Sequence, residues 1–210
     1  MPYRPRIKIC GIKTVADACY AASLGVDAIG LVFYPPSPRH VELEQACRIV
    51  QALPPLVSVV ALFVNPNAAE VARVITTLAV DLLQFHGDED EAFCHSFARP
   101  YIKALPVRTG ADVQAQLSAY GSARALLLDT YHPQLRGGTG DCFDWTQFPR
   151  AAQRPLILAG GLNPDNVGAA VAQLQPYAVD VSGGVESARG IKNQALMRAF
   201  VAGVGRGYED

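Results

Sequence analysis

The sequence predicts an α/β fold: a single (βα)8 TIM barrel of eight parallel strands, occupying residues 1–210 as one domain. Short apolar runs recur every 19–31 residues. Amphipathic stretches with helix-capping residues lie between them. Glycine pairs and ionisable side chains gather where the runs end.

The runs occupy residues 7–10, 28–33, 57–64, 82–86, 101–105, 125–129, 156–159 and 179–182, ending at Cys10, Phe33, Val64, His86, Leu105, Asp129, Ala159 and Ser182. Several are almost continuously apolar, as strands covered on both faces are. Between them, 15–24, 43–53, 68–78 and 165–174 carry helical periodicity, and the helices after the fourth and fifth strands are short. Thr14 with Asp17 resembles a capping box, Gly25 stands where a C-cap glycine belongs, and Asn163-Pro164 supplies a cap and an N1 proline after the seventh strand. Strands alternating with helices require a parallel sheet. Doubly wound sheets more often have five or six strands, so eight units favour closure into a barrel. No linker, low-complexity segment or clear internal sequence repeat divides the chain.

Composition narrows the function classes. Half of the 210 residues are hydrophobic and the formal net charge is -1, which gives no electrostatic case for nucleic acid or an anionic membrane as partner. A bound anion needs a local site. Five scattered cysteines without a C-x-x-C pair fit a reducing cytoplasm and neither a disulfide framework nor a zinc ribbon. There is no signal-peptide pattern and no apolar run long enough to span a bilayer. His86, His95 and Cys94 lack metal-ligand spacing, so no metal is expected.

Active sites of βα barrels sit at the carboxyl ends of the strands. Cys10 ends the first strand, followed by Gly11. Its alternatives are a buried core thiol or a base that meets substrate at the mouth; Cys19, Cys47 and Cys94 fall in helical patterns and read as structural. Asp129 follows three leucines, a setting that raises a carboxyl's pKa and suits a general acid, though a cap or ion pair is the alternative. Gly160-Gly161 and Gly183-Gly184, the latter after Ser182, end strands seven and eight. Paired glycines there match the recurrent phosphate site of βα barrels, completed by a short extra helix at 185–188. Arg39, in a proline-stiffened loop, suits a carboxylate ligand through two parallel hydrogen bonds, with an ordinary solvated surface arginine as the alternative. His86 either binds substrate or supports neighbouring loops. Gly137, Gly138 and Gly140 read as a lid or further amide donors, and Cys142 as a bystander.

These segments together resemble phosphoribosylanthranilate isomerase of tryptophan biosynthesis along nearly the whole chain: KICGI at 8–12, FYPPSPR at 33–39, LFVN at 62–65, QFHGDE at 84–89, LLLDT at 126–130, GGTG at 137–140, FDW at 143–145, LAGGLNPDNV at 158–167 and VDVSGGVE at 179–186. The resemblance implies a cofactor-free Amadori rearrangement of a phosphosugar substrate. In it Asp129 is the general acid, Cys10 the base as thiolate, Arg39 the partner of the anthranilate carboxylate, and the glycine amides the phosphate grip. It leaves monomer or homodimer open. Pro36 stands where a lysine is frequent and Asn193 where an aspartate is common, both away from the catalytic positions. Indole-3-glycerol phosphate synthase relies on a lysine acid, for which only Lys8 is available. The family that isomerises both a histidine and a tryptophan precursor has aspartate where this chain has Cys10. A non-catalytic phosphate-binding barrel would leave Cys10, Asp129 and Arg39 unexplained.

Overall fold

The computed structural model describes residues 4–106, 113–129, 148–149 and 152–208, the side chains of residues 113 and 114 excepted. Strands β1 (Arg6–Cys10), β2 (Ala28–Val32), β3 (Ser58–Phe63), β4 (Leu82–Phe85), β5 (Tyr101–Pro106), β6 (Ala125–Asp129), β7 (Leu156–Ala159) and β8 (Ala178–Val181) pair in chain order, and β8 returns to β1 in parallel to close a barrel. Around it lie α1 (Val15–Ser23), α2 (Leu43–Ala52), α3 (Ala68–Thr77), α4 (Glu91–His95), α5 (Val113–Ala119), α6 (Val167–Leu174) and α7 (Gln194–Arg206). Every strand ends within one residue of its expected position. Among the described residues no helix is long and apolar enough to cross a membrane.

Side chains alternate across each strand, and the alternation sorts the core into layers. Ile7 and Ile9 of β1 and Ile29 and Leu31 of β2 join Ala18 and Ala21 of α1 between sheet and helices. Phe63, Phe85 and Tyr101 continue this layer, with Phe85 stacked on Phe63 and edge-on to Tyr101. The intervening residues face inward. Val60, Ile102, Leu127 and Ile157, with alanines 104, 125, 159 and 178, fill the barrel, while Cys10, Val32 and Leu62 cluster at its carboxyl end.

One interior position is ionic. Lys8 of β1 lies opposite Asp180 of β8 in the parallel register, and the two buried side chains pair at 2.9 Å. Such a pair is near neutral for stability compared with an apolar replacement, but removing one partner strands the other charge. A second buried pair, Lys103–Glu89 at 3.0 Å, lies outside the barrel. Glu89 also accepts from the N–H groups of Asn65 (2.7 Å) and Gly87 (2.9 Å), tying together the loops after β3 and β4 beside His86.

The caps follow the sequence with two adjustments. Thr14 Oγ1 accepts from the Asp17 N–H and Gly25 adopts φ +78° beyond α1, but Asp17 accepts from the Thr14 hydroxyl and not from its backbone. The reciprocal capping box is at Asn67 and Glu70 of α3. After β7 the helix begins at Val167, two residues later than expected. Asn163 accepts from the N–H groups of Asp165 and Asn166, holding a turn that precedes α6. Asn193, where an aspartate is common in the resembled family, caps α7 by accepting from the Leu196 N–H.

The expected short helix at 185–188 is not formed. A 3-10 turn spans Gly183–Val185, and β9 (Glu186–Ala188) then pairs antiparallel with β10 (Ile191–Lys192). Glu186 makes side-chain ion pairs on this hairpin, as described below, that draw the segment extended. The glycines at 137–140 and Cys142 lie outside the described residues.

Candidate active site

Cys10, Arg39, His86, Asp129, Gly160, Gly161, Ser182, Gly183 and Gly184 all line one cavity of about 890 Å³ at the carboxyl ends of the strands. That volume suits a ligand of a few tens of atoms. Chain positions 10 to 184 meet because barrel closure brings every strand end to one rim.

Cys10 is the last inward residue of β1. It is 5% exposed, so the sequence alternatives of buried thiol and mouth residue both hold: the side chain is packed, yet it lines the cavity. Neighbouring Gly30 makes the room. A Cβ there would stand 2.7 Å from Cys10 Sγ, closer than real contacts allow, and a tight 3.1 Å from Lys8 Nζ. Burial pushes the Cys10 thiol above its ordinary value; Lys8 pulls it down, Asp180 pushes it up, and Lys192 pulls it down. Cys94 shows the contrast. Its burial in α4 pushes it to about 12, as befits an inert structural thiol.

Asp129 ends β6, three strands from β1 around the barrel. Its setting differs from the apolar surround expected of a residue after three leucines. Those leucines belong to the walls of the barrel, whereas Asp129 Oδ2 accepts from His86 Nε2 at 3.1 Å and its side chain is 26% exposed. Gln84 Nε2 donates to His86 Nδ1 at 3.0 Å, which selects the imidazole tautomer carrying its proton on Nε2. Gln84 is fully buried, and its Oε1 has no hydrogen-bond partner among the described residues. His86 thus pairs with Asp129 while also lining the cavity.

Arg39 reaches the rim from the loop after β2. Its Nε and Nη2 donate to Glu186 Oε1 and Oε2 at 2.7 and 2.8 Å. The fork expected to meet a ligand carboxylate is therefore engaged on one edge by the protein itself. Glu186 also accepts from Lys192 Nζ at 2.9 Å and the Gly190 N–H at 3.0 Å. Burial pushes the Glu186 carboxyl up, but the bonds from Arg39, Gly190 and Lys192 outweigh it and hold the group at about 2.

Ser182 Oγ donates to the Cys10 carbonyl at 3.0 Å, and Lys192 Nζ donates to the Ser182 carbonyl at 3.0 Å, joining the ends of β1 and β8. Gly160 and Gly161 take φ +83° and +65°, a left-handed pair that a side chain would strain. A Cβ on Gly184 would overlap the Leu162 carbonyl, so the loops after β7 and β8 lie backbone against backbone. The first amides of the turn beginning at Gly183 have no partner within that turn.

Lys8, Asp180, Glu186, Lys192 and Gln84 were not named as site residues from the sequence, where Lys8 appeared only as the possible lysine acid of a rival family. A signal existed for the first two. Lys8 alternates with Ile7 and Ile9, and Asp180 with Val179 and Val181, so period two turns both inward to meet. For Glu186 the signal was only its place after a glycine pair, and Lys192 offered none.

Comparison with known proteins agrees with this geometry. The family model for N-(5'phosphoribosyl)anthranilate (PRA) isomerase matches residues 7–203. An N-(5'-phosphoribosyl)anthranilate isomerase of Pseudomonas fluorescens is 53% identical over 204 residues, covering 97% of each chain. The crystal structure of phosphoribosyl anthranilate isomerase from Thermotoga maritima superposes with a TM-score of 0.88 at 39% identity, covering 96% of this chain and 98% of the other. A further phosphoribosyl anthranilate isomerase, solved in complex with reduced 1-(o-carboxyphenylamino)-1-deoxyribulose 5-phosphate, matches with a TM-score of 0.85 at 36% identity and the same coverage. The chain belongs to the N-(5'-phosphoribosyl)anthranilate isomerase family.

Proposed function

We propose that Cys10 and Asp129 carry out the family's rearrangement in this chain, converting N-(5'-phosphoribosyl)anthranilate to 1-(2-carboxyphenylamino)-1-deoxyribulose 5-phosphate in tryptophan biosynthesis. The observation that carries the assignment is the single cavity lined by a thiol, a carboxyl, an arginine and two glycine pairs.

Protonated Asp129 gives its proton to the ribose ring oxygen. The C1'–O bond breaks as the nitrogen lone pair forms the iminium ion. Cys10 as thiolate takes the proton from C2', and the C–H electron pair neutralises the iminium to give an enolamine. Protonation at C1' and loss of the C2' hydroxyl proton yield the ketose, with no net change in oxidation state. Lys8 is the interior cation that favours the thiolate. His86 steadies Asp129 through Oδ2, leaving Oδ1 for the proton in transit. Arg39 meets the ring carboxylate. Amides near Gly160, Gly161, Gly183 and Gly184 hold the phosphate, with Ser182 bracing the loop.

The test is turnover of freshly prepared N-(5'-phosphoribosyl)anthranilate by purified protein, followed through the fluorescence change of the anthranilate group. Wild type turns over, and Cys10→Ala loses a factor of about 10²–10⁴ or more. Near-normal turnover by Cys10→Ala would move the base elsewhere.

A further inference from the structure

We propose that Glu186 is a positioning residue for aromatic-acid specificity: by clamping one edge of the Arg39 guanidinium, it presents the other edge to the ring carboxylate of the substrate. The inference rests on the proposed role of Arg39 and adds a residue that acts through it.

A free arginine side chain has four rotatable torsions, and fixing them on binding costs affinity. Here the cost is met during folding. Arg39 Nε and Nη2 are held by the two Glu186 oxygens, whereas Nη1 makes no hydrogen bond among the described residues. The remaining Nη1/Nη2 edge is a two-pronged donor matched to a carboxylate.

Glu186 is itself immobilised. Lys192, 1% exposed, and the Gly190 N–H hold its oxygens from the hairpin side. Gly190 has φ +80°, and a Cβ on it would overlap the Pro38 carbonyl, so the hairpin after β8 lies directly on the loop that bears Arg39. Lys13 Nζ donates to the same carbonyl at 3.0 Å. The clamp also sets charge. Two cations and one anion leave Arg39, Glu186 and Lys192 with a net +1, enough to attract one ring carboxylate. Without Glu186 the guanidinium would have both edges open and no fixed direction.

The experiment measures calorimetric binding of two ligands: the reduced product analogue, and its counterpart lacking the ring carboxylate. Wild type should prefer the carboxylated ligand by at least tenfold, and Arg39→Ala should abolish the preference. Glu186→Gln should weaken the carboxylated ligand about tenfold and leave the other within twofold; adding it to Arg39→Ala should then cause little further loss. Equal weakening of both ligands by Glu186→Gln would make Glu186 a support of the fold or of the phosphate loops and overturn the proposal. An unchanged preference in Glu186→Gln would overturn it too. Glu186→Gln leaves the Lys192 ammonium buried with a neutral partner, so Glu186→Gln/Lys192→Met supplies a second, charge-compensated variant with the same expected loss of preference. If wild type shows no preference, or Arg39→Ala retains it, the reading of Arg39 fails, an outcome separate from failure of the clamp.

Discussion

Replacing Lys8 with methionine keeps an apolar stem of similar length and removes the ammonium beside the proposed base. Cys10 Sγ and Lys8 Nζ stand 2.7 and 3.1 Å from one point, the place of an absent Gly30 Cβ, so they lie within ~6 Å of each other. At an effective dielectric of about 20, that separation gives an attraction of ~3 kcal/mol or more between ammonium and thiolate. Asp180 Oδ1 is 2.9 Å from Nζ, hence within ~9 Å of the sulfur, and opposes with ~2 kcal/mol or more. Lys8→Met removes the attraction and leaves the repulsion. The thiol then titrates at higher pH, and the thiolate population at neutrality falls by about 10². Lys8→Met/Asp180→Asn cancels both, leaving a loss of about fivefold. The assay is the pH dependence of Cys10 alkylation by iodoacetamide, resolved from the other cysteines by peptide mass spectrometry, alongside the pH profile of kcat/KM. In Lys8→Met the acid limb of both profiles should move to higher pH together, and the double variant should recover most of the shift. An unmoved alkylation profile in a folded Lys8→Met protein would refute the electrostatic reasoning and leave Lys8 a mere counterion of Asp180.

Asp129→Asn keeps an acceptor for His86 Nε2 but has no proton to give; turnover should fall at least ~10²-fold while a product analogue binds within about tenfold of wild type, measured by steady-state kinetics and titration calorimetry. Lost binding would recast Asp129 as a ligand or structural residue. Gly30→Ala forces a methyl group against Cys10 Sγ; kcat should drop while far-UV circular dichroism stays unchanged, and an active variant would mean the thiol has room to move. Glu186, held at about 2 against an ordinary 4.5, contributes stability that is present above its unfolded value and is lost as pH falls from about 4.5 through 2. Acid denaturation followed by tryptophan fluorescence should therefore show a shallower pH dependence over that window in Glu186→Gln; an identical slope would place the acid sensitivity in other carboxylates.

The barrel was legible because its signals are local and repeated. Each strand is a short and often almost continuous apolar run, and each error of one residue falls where a strand frays into a loop. The ends of the runs and the loops that follow them then named nine cavity residues without any knowledge of contacts, since closure alone brings strand ends together. The partners of those residues were less legible. Glu186 lies 147 positions from Arg39, and the ion pair arises only when the hairpin after β8 folds over the loop after β2. Asp129 follows three leucines in sequence, yet its neighbour in space is His86, 43 residues away. The expected helix at 185–188 failed for the same reason: long-range ion pairs at Glu186 decided a segment whose local preference was weak.

The barrel has a second opening, of about 700 Å³, at the amino ends of its strands, with the buried Lys8 among its lining residues. Between the two openings stand the Lys8–Asp180 pair and the fully buried Val60, Gln84 and Leu127. This septum makes the reaction chamber a cup and not a pipe. In the proposed mechanism the described residues of this septum shield the iminium ion from solvent below, so that water comes past the rim by which the phosphosugar arrives. A seated substrate is then its own stopper, and the lifetime of the open-chain intermediate depends on how well the ligand fills the mouth. The floor of the barrel is in that sense as much a part of the chemistry as its rim.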